Sequence, residues 1–212
     1  MNADSALCVF VKTPGCSPVK TRLGKDLENQ AAVGVYLLCL KRVRGLMEKV
    51  KERLDTRLDV YWAIAESEAK NDVLWNGFPR VLQGQGGLGQ RLSNVHGQLA
   101  GKYKSLAFIG ADSPFMDPAE LSASIGRVSR GERVSEIMPT TDGGYSFVVF
   151  SSGIQAEIWE SVAYSASSTF AETYEALKGF GGVGVLPEHW DIDSISDLRR
   201  AAEVDSDFAQ FL

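Results

Sequence analysis

The sequence predicts an α/β fold in which a mostly parallel sheet is covered on both faces by helices. Short apolar runs alternate with longer helix-like stretches along the whole chain, the signature of that class. The 212 residues are 44% hydrophobic and 23% charged, with a mean hydropathy of -0.08. That is ordinary globular composition, and a chain of this length buries a sizeable core. No repeat, low-complexity tract or linker breaks the pattern, so one domain over 1–212 is expected.

Ala6–Val11 reads as the first strand, followed by a loop rich in Pro, Gly and Lys. From Leu27 to about Arg53 a helix is expected, because Val33, Leu37, Leu40, Val43 and Met47 recur at helical spacing. Leu58–Ala65 is the second strand, Arg80–Gln83 a short third, and Leu88–Lys102 a helix opened by glycines. Ser105–Gly110 is the next strand. Asp117 then caps a helix, with Pro118 at its first position and Glu120 at its third. Ser135–Thr140 and Tyr145–Phe150 flank Thr141-Asp142-Gly143-Gly144, a strand pair turning on glycine. A helix from about Ser167 to Leu177, a strand Val183–Leu186 and a helix Ile195–Val204 complete the chain.

The formal net charge of -5 disfavours a general nucleic-acid-coating role. No apolar stretch approaches the roughly 20 residues of a membrane helix, and the run at Leu7–Val11 is too short for a signal segment. A soluble protein of the cytoplasm is expected. Cys8, Cys16 and Cys39 show no metal-ligand spacing and fit reduced thiols. Cys8 and Cys39 are expected in the core, Cys16 in a loop. His96 reads as a helix-surface residue and His189 as a loop residue, so no histidine-based triad is indicated. Trp62, Trp75, Trp159 and Trp190 read as packing residues.

Ligands of open α/β sheets bind beyond the carboxyl ends of the strands, and three segments stand there. Lys12 to Lys25 holds four basic residues and no acidic one. Pro14 shapes this loop, and its backbone together with Lys12, Lys20, Thr21 and Arg22 suits a di- or triphosphate, although a solvated basic loop has the same composition. The spacing is not that of a Walker loop. Gly110-Ala111-Asp112-Ser113-Pro114 ends a buried strand, so the Asp112 carboxylate emerges at the ligand edge. Mg²⁺ needs only one or two protein carboxylates, the rest of its shell being phosphate and water; the alternative is a turn-capping aspartate. Asp142-Gly143-Gly144-Tyr145 is either a plain tight turn or a place where backbone approaches a substrate while Asp142 contacts its hydroxyls.

Two further segments join these. Gln85-Gly86-Gly87-Leu88-Gly89-Gln90-Arg91 places glycines and a helix N-terminus after a strand, which suits an anion or base. Gln85, Gly89 and Arg91 are its candidate contacts. Asp191-Ile192-Asp193 lies in an acidic C-terminal region with seven Asp or Glu and two Arg from Glu188 onward. Asp193 either helps cap the last helix, or Asp191 or Asp193 joins Asp112 at a metal. Both remain open at this stage.

Taken in order, these motifs resemble the bacterial family called selenodomain-associated transferase 1, a glycosyltransferase A-type group also described as nucleotide-diphospho-sugar transferases. The matching pieces are Lys12-Thr13-Pro14, Val19-Lys20-Thr21-Arg22-Leu23, Leu88-Gly89-Gln90-Arg91-Leu92, Gly110–Pro114, Pro139–Tyr145, and Asp191-Ile192-Asp193 with Asp197-Leu198. They span nearly the whole chain. The resemblance implies a three-layer α/β/α nucleotide-diphospho-sugar transferase fold and a divalent metal, Mg²⁺ or Mn²⁺, at Asp112. A more distant likeness is to the phospholactate guanylyltransferases, through the Lys-Thr-Arg-Leu loop. Two places depart from the family pattern. Gly86-Gly87-Leu88-Gly89 stands where Gly-Asp-Leu-Gly is common, and Tyr164-Ser165-Ala166 where Trp-Ser-Thr is common.

Three functions follow as expectations. The first is a metal-dependent transferase that takes a nucleotide sugar and passes the glycosyl group to a small-molecule acceptor. Asp112, Lys20 and Asp142 would be its catalytic residues, with Asp112, Asp191 and Asp193 at the metal. Lys12, Pro14, Lys20, Thr21, Arg22, Gln85, Gly89, Arg91, Gly143, Gly144 and Tyr145 would bind the nucleotide. The second is a nucleotidyltransferase joining a nucleoside triphosphate to a phosphorylated small molecule, which the four basic charges of the first loop favour. The third is a nucleotide-binding module without catalysis, which the missing carboxylate at Gly87 suggests.

Overall fold

Seven strands form one mixed sheet in the order β3-β2-β1-β4-β6-β5-β7 in the computed structural model, which describes residues 3–212. β1 (Ser5–Val11) lies near the middle, parallel to β2 (Leu58–Ile64) on one side and to β4 (Ser105–Gly110) on the other. β3 (Arg80–Leu82) extends the sheet beyond β2. β6 (Tyr145–Ser151) runs antiparallel to β4 and to β5 (Ser135–Pro139), and β7 (Val183–Val185) pairs parallel with β5. The strands were expected within one or two residues of these ends.

Residues of β1 alternate between two cores, as a period of two demands. Leu7, Val9 and Val11 face α1 (Asn29–Leu54) and α3 (Pro118–Ser129), packing with Val43, Met47, Leu121 and Ile125. Ala6 and Cys8 face the opposite layer, where α2 (Leu88–Leu99), α4 (Thr169–Lys178) and a 3-10 segment Ala156–Ser161 supply Leu92, Val95, Leu177 and Trp159. The fold is therefore a three-layer α/β/α sandwich with a mostly parallel mixed sheet. Each fully enclosed aliphatic residue of these cores contributes about 1.5–3 kcal/mol of burial free energy.

A third cluster lies behind α1, where α5 (Ile195–Val204) and the C-terminal segment Ser206–Phe211 pack Leu198 and Phe208 against Val35 and Cys39. It explains a displacement of the expected helical stripe. α1 buries Val35 and Cys39 as well as Leu40, Val43 and Met47, while Leu37 is 41% exposed. With elements on two sides, the buried arc is wider than one spacing pattern. Of the cysteines, Cys8 and Cys39 are buried and Cys16 exposed, and the four tryptophans are buried.

His96 corrects the surface assignment. It is 1% exposed, and its Nδ1 accepts a hydrogen bond from Nε1 of Trp159 at 3.0 Å. The Ala156–Ser161 segment covers that face of α2, and nothing in the local sequence of the helix signals the cover. Burial holds the imidazole down to about 4, in the neutral form that accepts from the indole. Asp117 caps α3 as expected, its carboxylate accepting from the Ala119 N–H at 2.8 Å, with Pro118 at the helix start. No described helix is long and apolar enough to cross a membrane.

Candidate functional site

The sheet order reverses between β1 and β4. From β1 the chain goes out to β2 and β3, and β4 returns on the other side, so a crevice opens beyond their carboxyl ends. A cleft of about 750 Å³ occupies it. Its walls are the ends of β1 and β4, the 18–22 loop, the start of β6, the 164–167 loop, Asp191 and Asp193. All three of the special segments read from the sequence meet there.

Lys20 is the centre of the polar end. The residue is 9% exposed, and its Nζ lies 2.5 Å from Oδ1 of Asp112, 3.7 Å from Oδ1 of Asp193 and 2.6 Å from the Ile192 carbonyl, to which it donates. The Ile192 N–H in turn donates to the Asp112 carbonyl at 3.1 Å, tying the end of β4 to the 191–193 segment. Burial works against the Lys20 ammonium, but the facing Asp112 carboxylate outweighs it and the pKa is raised. Arg22 donates from its guanidinium to Oδ2 of Asp193 at 3.1 Å. Two of the four cations of the first loop are thus already matched by carboxylates, which weakens the charge argument for a triphosphate.

The cap question also resolves. Ser194 is the N-cap of α5, and Asp197 closes the capping box by accepting from the Ser194 and Asp193 N–H groups at 2.8 and 3.2 Å. That leaves the Asp193 carboxylate to Lys20 and Arg22. Asp191 is half-buried and accepts from the Ser113 hydroxyl. Burial, opposed by that hydrogen bond and reinforced by Asp112, pushes Asp191 up to about 6; burial also raises Asp193.

Among the described residues, no three His, Cys, Asp or Glu side chains stand in a ready metal-ligand arrangement. Asp112 and Asp193 are instead drawn onto the Lys20 ammonium. The donor set nevertheless fits a hard divalent cation: it consists of carboxylate oxygens. Among the described residues, Oδ1 of Asp112 is enclosed without a hydrogen bond of good geometry, and Lys20 is its ion-pair partner. Burial first, and after it the neighbouring carboxylates, raise Asp191 and Asp193, and a cation relieves the second of these causes.

Asp142 accepts from the Thr140 hydroxyl at 2.7 Å and the Gly144 N–H at 3.0 Å. These bonds, the Thr140 one first, hold it below the usual carboxylate range despite partial burial, so it is an anion at the cleft rim. Gly143 has φ +87°, and a Cβ there would stand 2.2 Å from the Ser167 carbonyl oxygen. Its N–H donates to Thr140 and its carbonyl accepts from Phe170, so the turn and the 163–168 loop are one unit. The Tyr145 ring lines the cleft, but its hydroxyl is enclosed without a partner among the described residues.

The other expected contacts divide. Lys12, Thr21, Arg22 and Gly144 line the cleft. Pro14, Gln85, Gly89, Arg91 and Gly143 do not line it. Gly89 is a packing glycine, since a Cβ would stand 2.4 Å from the Trp159 carbonyl oxygen. Arg91 donates to the Gly86 carbonyl at 3.0 Å and to Oε1 of Gln83 at 3.3 Å, bracing the loop from behind.

Gln83 and Tyr36 were missed. Gln83 is buried, lines the cleft and donates through Nε2 to the Val11 and Ala63 carbonyls at 3.0 and 2.8 Å, joining three strand ends. The Tyr36 hydroxyl accepts from the Lys12 N–H at 2.9 Å and donates to the Lys12 carbonyl at 2.8 Å. A polar residue closing the β3 run was a signal for Gln83. Tyr36 sat within a helical apolar pattern and gave none.

A family model described as "Uncharacterized protein conserved in bacteria (DUF2064)" matches residues 46–166, more than half of the chain. This chain belongs to the DUF2064 family. The matched span of DUF2064 includes Asp112 and Asp142, whereas Lys20, Asp191 and Asp193 lie outside it. No curated protein matches the sequence. Among solved structures, the DUF2064 chain is similar to one described as a "putative nucleotide-diphospho-sugar transferase" from Desulfovibrio desulfuricans G20. Its TM-score is 0.77 at 21% identity, over 96% of this chain and 90% of that one. The 4-diphosphocytidyl-2C-methyl-D-erythritol synthase of Anaerococcus prevotii DSM 20548 gives 0.61 at 12%, over 95% and 98%. Rv0371c of Mycobacterium tuberculosis H37Rv, in complex with manganese, gives 0.56 at 14%, over 95% and 99%. At these identities the likeness establishes the fold.

Proposed function

We propose that this DUF2064 protein is a metal-dependent transferase. It binds a nucleotide sugar, passes the glycosyl group to a small-molecule acceptor, and forms one domain over its 212 residues. The finer family assignment is selenodomain-associated transferase 1, which the Lys-Thr-Arg-Leu, Gly-Ala-Asp-Ser-Pro and Asp-Gly-Gly-Tyr motifs support. The observation that carries the reading is the position of Asp112. It stands two residues past the end of β4, at the point where the sheet order reverses, in a large cleft beside Lys20, Arg22 and Asp193.

Asp112, with Asp193 and Asp191 beside it, would hold Mg²⁺ or Mn²⁺, and the manganese complex of a fold relative is in keeping with that. Bound there, the cation would supply positive charge against the departing nucleoside diphosphate. Lys20 and Arg22 add charge on the phosphates, with Arg22 free to turn from Asp193 because its side chain is 63% exposed. Lys12, Thr21, Gln83 and Leu88, which line the cleft, contact the nucleoside. Asp142, an anion with Thr140 and Gly144 behind it, accepts hydrogen bonds from sugar or acceptor hydroxyls. In the reaction the bond from the anomeric carbon to the diphosphate oxygen breaks, the acceptor oxygen forms its own bond to that carbon, and its proton passes to solvent water. Three free thiols suit work in the reducing cytoplasm.

A second reading is nucleotidyl transfer, supported by the fold shared with the diphosphocytidyl synthase. There an acceptor phosphate oxygen bonds to the α-phosphorus of a triphosphate and pyrophosphate leaves. Product analysis separates the two. Nucleoside diphosphate released from a sugar donor supports glycosyl transfer, and pyrophosphate released from a triphosphate supports nucleotidyl transfer. Metal-dependent binding with neither product over a broad acceptor panel would contradict both and leave a binding module.

A further inference from the structure

Lys20 is held in its place against a backbone preference. Its φ is +49°, a left-handed conformation unfavourable for a residue with a Cβ, and its side chain is 2% exposed. Such a conformation persists where surrounding contacts over-determine it. Here those contacts are Asp112, Asp193 and the Ile192 carbonyl, at 2.5, 3.7 and 2.6 Å from Nζ. They all belong to the two segments that the proposed function gives to the metal.

We infer that Lys20 is an exchangeable countercharge. Its ammonium neutralises Asp112 and Asp193 in the free protein, and it gives them up to a divalent cation while turning to the phosphates of the ligand. The inference rests on the metal–diphosphate reading of the cleft. Among the described residues, Oδ1 of Asp112 is enclosed and has the Lys20 ammonium as its ion-pair partner. Two cations on one such carboxylate repel each other, so metal and ammonium compete for it. A metal arriving alone displaces the ammonium with no new partner for it. An anion arriving alone finds the ammonium already engaged. Arriving together, each removes the other's obstacle, and by linkage each tightens the other's binding. The displaced Lys20 no longer fixes the left-handed backbone, so the 12–22 loop adjusts in the same event.

The test uses full-length protein and two probes. Mn²⁺ alone is titrated by the loss of its free electron-paramagnetic signal. Inorganic pyrophosphate is titrated by calorimetry without metal. Lys20→Gln, whose amide still donates to Ile192, and Lys20→Met both bind Mn²⁺ about tenfold more tightly than the wild type, a typical coupling factor. Adding Asp112→Asn to Lys20→Gln removes that gain. Asp112→Asn alone takes the nearer of its two carboxylates from the ammonium and tightens metal-free pyrophosphate about tenfold, and the double variant loses this too. Melting curves establish that each variant folds. Mn²⁺ binding that is weakened by Asp112→Asn but is no tighter in the Lys20 variants overturns the countercharge and leaves the metal site standing. Tightening that persists in the double variant, or no Mn²⁺ binding in any variant, overturns both. Equal pyrophosphate affinity in the single and double variants also overturns the countercharge.

Discussion

The Lys20 ammonium and the Asp112 carboxylate stand 2.5 Å apart, and Ile192 links the segments that carry them through one hydrogen bond to each. The pair sits at the reversal of strand order, so the residues that would do the chemistry also join the basic loop to the end of β4.

Because the Lys20 side chain is 2% exposed while that of Asp112 is 43% exposed, breaking the pair costs less than for a fully buried one. Lys20→Met is expected to lower stability by about 1–3 kcal/mol, between exposed and buried ion pairs. Urea unfolding at neutral pH measures it. A variant as stable as the wild type would show that the pair contributes nothing net to the fold.

His96 predicts a pH dependence. Its folded pKa is about 4 against an ordinary 6.5. Between those values the unfolded chain binds a proton that the folded one refuses. Stability from this residue is therefore complete above about 6.5 and lost as pH falls towards 4, by about 3 kcal/mol in all. Urea midpoints from pH 7 to 4 are expected to fall less steeply in His96→Gln than in the wild type. Parallel curves would mean that His96 protonates without penalty in the fold.

Gly89 tests packing against binding. Gly89→Ala puts a Cβ 2.4 Å from the Trp159 carbonyl oxygen, an overpacking that costs about 1–3 kcal/mol. Its melting temperature is expected to drop while nucleotide affinity at temperatures well below the transition stays within a factor of about three. A large loss of affinity with unchanged melting would instead make the glycine a ligand contact.

These cases also show what was legible. Strand ends and the Asp117-Pro118 helix start follow from local apolar runs and turn chemistry, so they were readable within a residue or two. The convergence of Asp112, the basic loop and Asp142 followed from one topological rule about strand ends. Contacts made by distant segments were not readable. Trp159 buries His96, the 3-10 segment needs Gly89 bare, and Ile192 recruits Lys20 into the interior. A basic loop looks the same whether its lysine faces solvent or a carboxylate. The Ser194–Asp197 cap shared its residues with the candidate metal segment, and only the hydrogen bonds separate the two roles.

Asp142 is expected to act on transfer more than on nucleotide binding, since it lies at the rim with its carboxylate oriented by Thr140 and Gly144. Asp142→Asn is predicted to lower kcat/KM for transfer by about 10–100-fold, the loss of one charge-assisted hydrogen bond. Nucleotide affinity measured without acceptor is predicted to hold. Equal losses in both would place Asp142 on the nucleotide instead.

The most direct test of the proposed site is thermal unfolding with a panel of nucleotide sugars and nucleoside triphosphates, with and without Mn²⁺. A ligand at about 100 times its Kd adds roughly 2.7 kcal/mol, or about 5–10 °C for a chain of this size. The wild type is predicted to show a shift that depends on Mn²⁺, and Asp112→Asn to lose the Mn²⁺-dependent part. A full metal-dependent shift in Asp112→Asn would contradict the assignment of Asp112 as the metal ligand.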